Sequence, residues 1–191
     1  MSIERKTSHH SGTLSPEFAL LGFLVAGPHH GYDLHQRFVT ELGHVWHLSQ
    51  SQAYAILNRL VVHGDISGKI IRQRKLPDRQ MLHITPAGRR RFLEWLEKGS
   101  ASNARAIRLE FLTRLYFSNL YTPEETAQIF ATQFAEIKSD VERLEDMLAH
   151  IPSYQIYNRL SLDLRLRQMK LIQKWMAEIR TQFHIPSKVT L

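Results

Sequence analysis

The segment from Ser49 to Gly64 constrains the fold most, because it carries the start and stop signals of one helix. Ser49 is followed three residues later by Gln52, which is the spacing of a capping box. Gly64 is the residue type that closes helices in the left-handed conformation. Between them, apolar residues recur at steps of three and four and predict one buried face. That face comprises Ala53, Ile56, Leu57, Leu60 and Val61.

The opposite face of this helix carries polar groups and an aromatic ring, where most solvated helices carry Lys and Glu. Amides, hydroxyls and a guanidinium are the groups that pair with base edges and phosphates in a DNA major groove. We therefore interpret the segment as a DNA-reading helix in preference to an ordinary surface helix. Its candidate DNA contacts are Gln50, Ser51, Tyr54, Asn58 and Arg59.

A two-stranded hairpin is predicted directly after the reading helix, with strands at 66–73 and 79–84 and a tip containing Pro77 and Asp78. Residues 49 to 91 include nine Lys or Arg and two Asp, so this segment has a net charge of +7, equal to that of the whole chain. Such local basicity suits phosphate neutralisation. A basic hairpin behind a reading helix is the arrangement of a winged helix-turn-helix. Its candidate DNA contacts are Lys69, Arg72, Arg74, Lys75 and Arg79.

The other elements of this predicted domain, residues 14–98, are three helices. The first helix lies between Ser15-Pro16 and Gly27-Pro28, and the second runs from Gly31 to Leu42. The third begins at Thr85-Pro86, and its apolar side comprises Phe92, Leu93, Trp95 and Leu96. The apolar run 18–26 is too short to cross a bilayer, and we interpret it as a buried helix in preference to a signal peptide. Residues 1–13 are expected to be a disordered arm, and 99–103 a linker.

Residues 104–191 are predicted to be a helical dimerisation domain. Apolar residues from 127 to 151 alternate at steps of three and four, as in a coiled-coil seam. The following helix carries two apolar stripes where a two-helix hairpin needs one, so another copy of the chain is expected to cover the second, formed by Ile156, Leu160, Leu164, Leu171 and Trp175. A compact monomeric bundle is the alternative. The candidate dimerisation residues are Phe130, Phe134, Ile137, Val141, Leu144, Leu148, Leu162, Leu166, Met169, Trp175 and Ile179.

Other chemistries find little support in the sequence. Without cysteine there is no disulfide, thiolate zinc site or catalytic thiol, which fits a reducing cytoplasm. The eleven histidines form no complete ligand set, and there is no nucleophile elbow or phosphate loop, so we expect no metal, no cofactor and no enzyme activity. Aromatic side chains where the two domains meet are either core or a candidate effector pocket. They are Trp46, Phe92, Trp95, Tyr116 and Trp175.

Five motifs in this order and spacing resemble the PadR family of bacterial transcriptional regulators. They are Leu20-Leu21-Gly22-Phe23-Leu24; His30-Gly31-Tyr32-Asp33-Leu34; Tyr54, Leu57, Leu60 and Gly64; the basic residues from Arg72 to Arg79; and Thr85-Pro86-Ala87-Gly88-Arg89. The helical tail resembles the virulence-activator-like C-terminal domain of one subfamily. The chain departs from the family at Leu82-His83-Ile84, where many wings carry a tyrosine.

The resemblance implies a homodimer that binds an inverted-repeat operator, usually as a repressor and sometimes relieved by a small aromatic molecule. The expected fold is mainly α, with an N-terminal winged helix-turn-helix, a two-stranded wing and a C-terminal antiparallel coiled coil that dimerises. The expected partners are double-stranded DNA, a second copy of the chain and a small aromatic effector, without a membrane. The alternatives are a winged-helix adaptor that binds an acidic protein and a metal-sensing regulator.

Overall fold

The computed structural model describes residues 14–71 and 79–183, and at positions 70, 71 and 79 it describes the backbone alone. The predicted arm at 1–13 and the predicted DNA contacts Arg72, Arg74 and Lys75 lie outside the described residues. Helix α1 spans Glu17–Val25, α2 spans Gly31–Leu42 and α3, the reading helix, spans Gln50–Val62. All three were predicted from their start and stop signals, and their bounds agree with the prediction within one or two residues.

The sheet beside α3 has three strands, whereas the sequence predicted only a two-stranded wing. Strand β2 (Ile66–Ile71) pairs antiparallel with β3 (Arg79–Ile84), as expected. A further two-residue strand, β1 (His29–His30), pairs with the other edge of β3 opposite Leu82 and Met81. The prediction missed β1 because two residues show no alternation, and its partner lies about fifty positions away.

Thr85 is the N-cap of helix α4 (Pro86–Glu97) and connects the end of α3 to the sheet through hydrogen bonds. The Thr85 hydroxyl donates to the carbonyl of Gly64 at 2.7 Å and accepts from the backbone N–H of Gly88 at 3.1 Å. Gly64 has a φ of +76°, as its predicted role in ending α3 requires. One side chain thus holds together the end of α3, the wing and the start of α4.

A nearly continuous helix connects the winged-helix core to the C-terminal helices. Helix α5 (Ala104–Ala106) continues through a π-helical turn (Ile107–Phe111) into α6 (Leu112–Tyr121). On one face of this segment, Leu109 and Phe117 pack into the core of α1 to α4. A Cβ at Gly22 of α1 would lie 2.5 Å from the ring of Phe117, so only glycine permits this close contact.

Helices α7 (Pro123–His150) and α8 (Ile156–Ile179) form an antiparallel hairpin, followed by a 3₁₀ turn (Arg180–Phe183). At the start of α7, Thr122 has a φ of −140° and a ψ of 59°, and its side chain makes no capping hydrogen bond to the helix. Ile107, Phe111 and Leu115 complete the apolar core of the hairpin.

The predicted dimerisation seam is used inside the chain. Buried and partly buried side chains between α6, α7 and α8 include all eleven candidates: Phe130, Phe134, Ile137, Val141, Leu144, Leu148, Leu162, Leu166, Met169, Trp175 and Ile179. Heptad spacing shows that a face is covered but not whether the partner helix belongs to the same chain. A role of these residues in dimerisation stays a prediction. Trp175 was also predicted to lie on the second stripe of α8, but it packs against this core instead.

The second stripe of α8 remains exposed. Ile156, Leu160, Leu164 and Leu171 have relative exposures of 60%, 60%, 59% and 68%. Two inward assignments elsewhere were also wrong: Val61 on α3 and Leu93 on α4 are 38% and 39% exposed, because each lies at the edge of its apolar face. Of the helices in the described part of the chain, none is both long and apolar enough to cross a membrane.

Candidate nucleic-acid interface and adjoining cleft

The exposed face of α3 carries the polar side chains that the sequence predicted there. A capping box fixes the start of the helix: the Ser49 side chain accepts from the backbone N–H of Gln52, and the Gln52 side chain accepts from the backbone N–H of Ser49. Ala53, Ile56, Leu57 and Leu60 anchor the opposite face in the core. Gln50, Ser51, Tyr54, Asn58 and Arg59 therefore point away from the core and are exposed.

A groove of about 500 Å³ lies between α3, the start of α2 and the sheet. Strand β1 creates it by placing Tyr32 and Asp33 beside Tyr54 and Asn58 of α3. The Tyr54 ring rests against Gly31, where a Cβ would lie only 2.8 Å from Tyr54 Cε1. His30, Tyr32, Asp33 and Gln80 also line this groove but were not among the predicted site residues. The His-Gly-Tyr motif was the sequence signal that pointed to them.

Ion pairs fix α3 relative to α1 and α4. Glu17 of α1 receives the guanidinium groups of both Arg59, at 3.3 Å, and Arg91. Arg91 also donates from Nη1 to Asp65 Oδ2 at 2.5 Å. Arg59 remains about half exposed, so it can still face an external anion, but its free charge is partly balanced by Glu17. Its two arginines are balanced by two carboxylates, so the network holds the reading helix in place without adding net positive charge.

The wing is described only in part. Lys69 on β2 is exposed, and the backbone of Arg79 begins β3. The Arg79 side chain, like Arg72, Arg74 and Lys75, lies outside the described residues. Lys69 is therefore the one predicted wing contact whose side chain is described, and all five predicted DNA contacts of the wing stay predictions.

A cleft of about 1850 Å³ adjoins α3 at Gln52, Ala55 and Arg59 and reaches α4, α6 and α7. Two of the predicted effector-pocket residues, Trp46 and Trp95, line this cleft. The other three do not: Phe92 is fully buried in the winged-helix core, Tyr116 packs against that core, and Trp175 packs among the C-terminal helices. Aromatic composition alone could not separate cleft residues from core residues, because both are apolar and helical.

Arg114 is the most perturbed charge in the cleft. Its guanidinium stacks over the Trp95 ring at 4.6 Å, and its Nη2 lies 3.7 Å from Glu110 Oε2. Burial lowers the pKa of Arg114 to about 10, and burial raises the pKa of Glu136 across the cleft. Some buried donors there have no hydrogen-bond partner in the described part of the chain: Arg114 Nε and Nη1, Trp95 Nε1 and the Ser100 hydroxyl. A ligand rich in hydrogen-bond acceptors would satisfy them.

Metal binding finds no site in the described ranges. No group of three or more His, Asp or Glu side chains in 14–71 and 79–183 is arranged to hold an ion. His30 Nδ1 instead lies 3.1 Å from the carbonyl of Gln80, and His35 Nε2 lies 2.9 Å from the carbonyl of Leu48. These two histidines thus have structural partners.

Comparison with known proteins identifies the winged-helix segment. Residues 20–94 match the model of the transcriptional regulator PadR-like family. Over this segment the chain is similar to the PadR-like family. It is also 26% identical over 129 residues to the negative transcriptional regulator PadR of Bacillus subtilis, a match that covers 68% of this chain and 70% of that protein. The PadR-like family consists of transcriptional regulators and not of enzymes.

Two solved structures of Bacillus subtilis PadR show partial similarity to this chain. Bacillus subtilis PadR in complex with operator DNA is 25% identical, with 87% of this chain and 98% of that chain covered and a TM-score of 0.44. The same protein in complex with p-coumaric acid is also 25% identical, with 88% and 95% covered and a TM-score of 0.39.

Proposed function

We propose that this PadR-like protein is a sequence-specific DNA-binding repressor that acts as a homodimer on an inverted-repeat operator. The observation that carries the proposal is the exposed polar face of α3, where Gln50, Ser51, Tyr54 and Asn58 are presented without Lys or Glu. Amide and hydroxyl groups on such a helix suit base edges. Lys69 and the basic residues predicted in the wing, Arg72, Arg74, Lys75 and Arg79, would bind phosphates beside it.

Repression and dimerisation have separate support. The Bacillus subtilis relative is named a negative transcriptional regulator, which favours repression here. The exposed stripe on α8 favours a second copy of the chain, and two-fold symmetry would match an inverted repeat. In this proposal residues 14–98 bind DNA and 104–191 dimerise, with 99–103 between them. A regulator of this kind would act on the chromosome in the bacterial cytoplasm.

The cleft beside α3 is the proposed effector site. Trp46 and Trp95 offer aromatic surface, and donors of Arg114, Trp95 and Ser100 that have no partner among the described residues offer hydrogen bonds to acceptors. A small aromatic molecule that carries a carbonyl or carboxylate group would use both features. Its binding site would lie beside α3, where Gln52, Ala55 and Arg59 line the cleft.

Selection from a random duplex library tests the proposed function. The purified protein should enrich one palindromic sequence, and affinity for that duplex should fall with salt at a slope near −5 on a log–log plot if about six phosphates are neutralised. Enrichment of no sequence at low salt would reject the proposal. It would favour the alternative of an adaptor that binds an acidic protein.

Asn58→Ala and Lys69→Ala should weaken operator binding in different ways. Asn58→Ala should cost about 1–3 kcal/mol and relax the sequence preference, because it removes a contact with a base. Lys69→Ala should weaken binding to all duplexes alike and reduce the salt slope by about 1, because it removes a contact with a phosphate. Fluorescence anisotropy across a salt series measures both.

The matched controls for these two variants are Asn119→Ala and Lys138→Ala, which remove the same groups from exposed positions on α6 and α7. Neither control should change operator affinity. Equal effects in the variants and their controls would contradict the proposed contacts.

Gly31→Ala should lower operator affinity by about three- to tenfold through Tyr54. The added Cβ would lie 2.8 Å from Tyr54 Cε1, so the ring must move from its place beside Asn58. Alanine at the first position of α2 should otherwise be tolerated, since alanine favours helix. In a Tyr54→Ala background the same change should have no further effect on affinity, a non-additivity that a double-mutant cycle would measure. Additive losses would mean that Gly31 acts by another route.

A further inference from the structure

The connection between α2 and the reading helix is held at two points by partners from other elements. His35 of α2 donates from Nε2 to the Leu48 carbonyl at 2.9 Å. Trp46 donates from its indole Nε1 to the Thr113 hydroxyl at 2.8 Å. These two hydrogen bonds set the path of the chain immediately before Ser49, and therefore the position from which α3 starts.

The bond from Trp46 reaches a helix outside the winged-helix domain. Thr113 lies near the start of α6, is almost fully buried, and donates its own hydroxyl hydrogen to the Leu109 carbonyl at 2.6 Å. Leu109 is within the π-helical turn that precedes α6. A single hydroxyl thus joins the indole of Trp46 to a turn of irregular helical register, and π turns are frequently found at functional sites.

We propose that Trp46 and Thr113 are positioning residues that transmit the placement of α6 to the reading helix. Thr113 is next to Arg114, which lines the proposed effector cleft, and α6 packs against α7 of the hairpin. A change in the cleft or the hairpin that displaces α6 therefore acts on Trp46, four residues before Gln50. The inference rests on the proposed function, because it assigns a role in operator recognition.

Thr113→Val tests this link, because valine has nearly the shape of threonine but cannot accept from the indole of Trp46. The matched control is Thr126→Val on α7. The Thr126 hydroxyl is also buried and bonded, to Ser118 Oγ at 2.9 Å, but that bond joins α6 to α7 and does not reach the α2–α3 connection. Both substitutions remove a buried hydrogen-bonded hydroxyl, so both should lower the melting temperature.

Only Thr113→Val should weaken specific binding, by about tenfold for the selected duplex, while binding to a random-sequence duplex stays unchanged. Thr126→Val should leave both affinities unchanged, and Thr113→Ser, which keeps a hydroxyl, should restore specific binding. Thr113→Val without effect on the specific duplex, or Thr126→Val with an equal effect, would overturn the inference.

A second variant and a measurement without DNA separate this inference from the proposed function. Trp46→Phe keeps an aromatic ring but removes the indole N–H that bonds to Thr113. It tests the same link if Thr113→Val does not fold. Amide hydrogen exchange in residues 46–53 should become faster in Thr113→Val or Trp46→Phe but not in Thr126→Val. Failure of the wild-type protein to bind DNA would reject the proposed function alone. Unchanged exchange in both link variants would reject the positioning role alone.

Discussion

Replacing Leu160 and Leu164 of α8 together by glutamate is expected to produce a folded monomer with an operator affinity about a hundredfold lower or more. Both side chains are about 60% exposed, so the folded chain loses little apolar packing. They lie four residues apart on one face of α8, between Ile156 and Leu171. At an interface between two copies, four carboxylates would then have to be buried without partners.

The loss in affinity follows from the symmetry of the proposed complex. A dimer binds its second half-site at the high effective concentration set by the first, and a monomer loses this advantage entirely. Sedimentation velocity would measure the oligomeric state, and anisotropy with the full operator and with a single half-site would measure affinity. The monomeric variant should bind a half-site as well as the wild-type protein does.

Leu120→Glu is the control for these substitutions, because Leu120 is an exposed leucine of α6 outside the stripe. It should remain dimeric and bind normally. A double variant that stays dimeric would show that the stripe is not the interface, and a monomer with full operator affinity would show that recognition does not need two copies.

The elements with local signals could be predicted from the sequence. The Ser49–Gln52 capping box and Gly64 lie at the ends of α3 itself, and Thr85-Pro86 lies at the start of α4, so each helix was delimited by its own residues. The alternation of polar and apolar residues on α3 likewise fixed which face is exposed. The polar face of the candidate site was therefore available before the structure.

Features that depend on distant pairing could not be predicted in this way. Strand β1 exists only because His29 and His30 meet Leu82 and Met81, and this pairing brings Tyr32 into the groove beside Tyr54. The bond from Trp46 to Thr113 joins residues 67 positions apart. Likewise, the heptad pattern of α7 could not indicate that α8 of the same chain is its partner.

Phe117→Ala is expected to lower the free energy of unfolding by about 3–5 kcal/mol, the range for removing a fully buried aromatic ring. The ring lies 5.3 Å from that of Phe23, 5.4 Å from that of Phe92 and 5.9 Å from that of Tyr121, between centroids. It also fills the space left by Gly22, so its removal opens a cavity where α1, α4 and α6 meet. Denaturant unfolding would measure the change.

Phe111→Ala provides the comparison, because Phe111 is equally buried but packs in the other cluster, against Phe130. Both variants should lose similar stability, since the cavity term depends on volume and on how well the site collapses. Only Phe117→Ala should increase hydrogen exchange in α1, because only Phe117 contacts that helix. A loss below about 1 kcal/mol for Phe117→Ala would mean that α6 is not an integral part of the winged-helix core. Dimer formation could then be poorly coupled to the separation of two reading helices, because α6 packs against both that core and α7 of the hairpin.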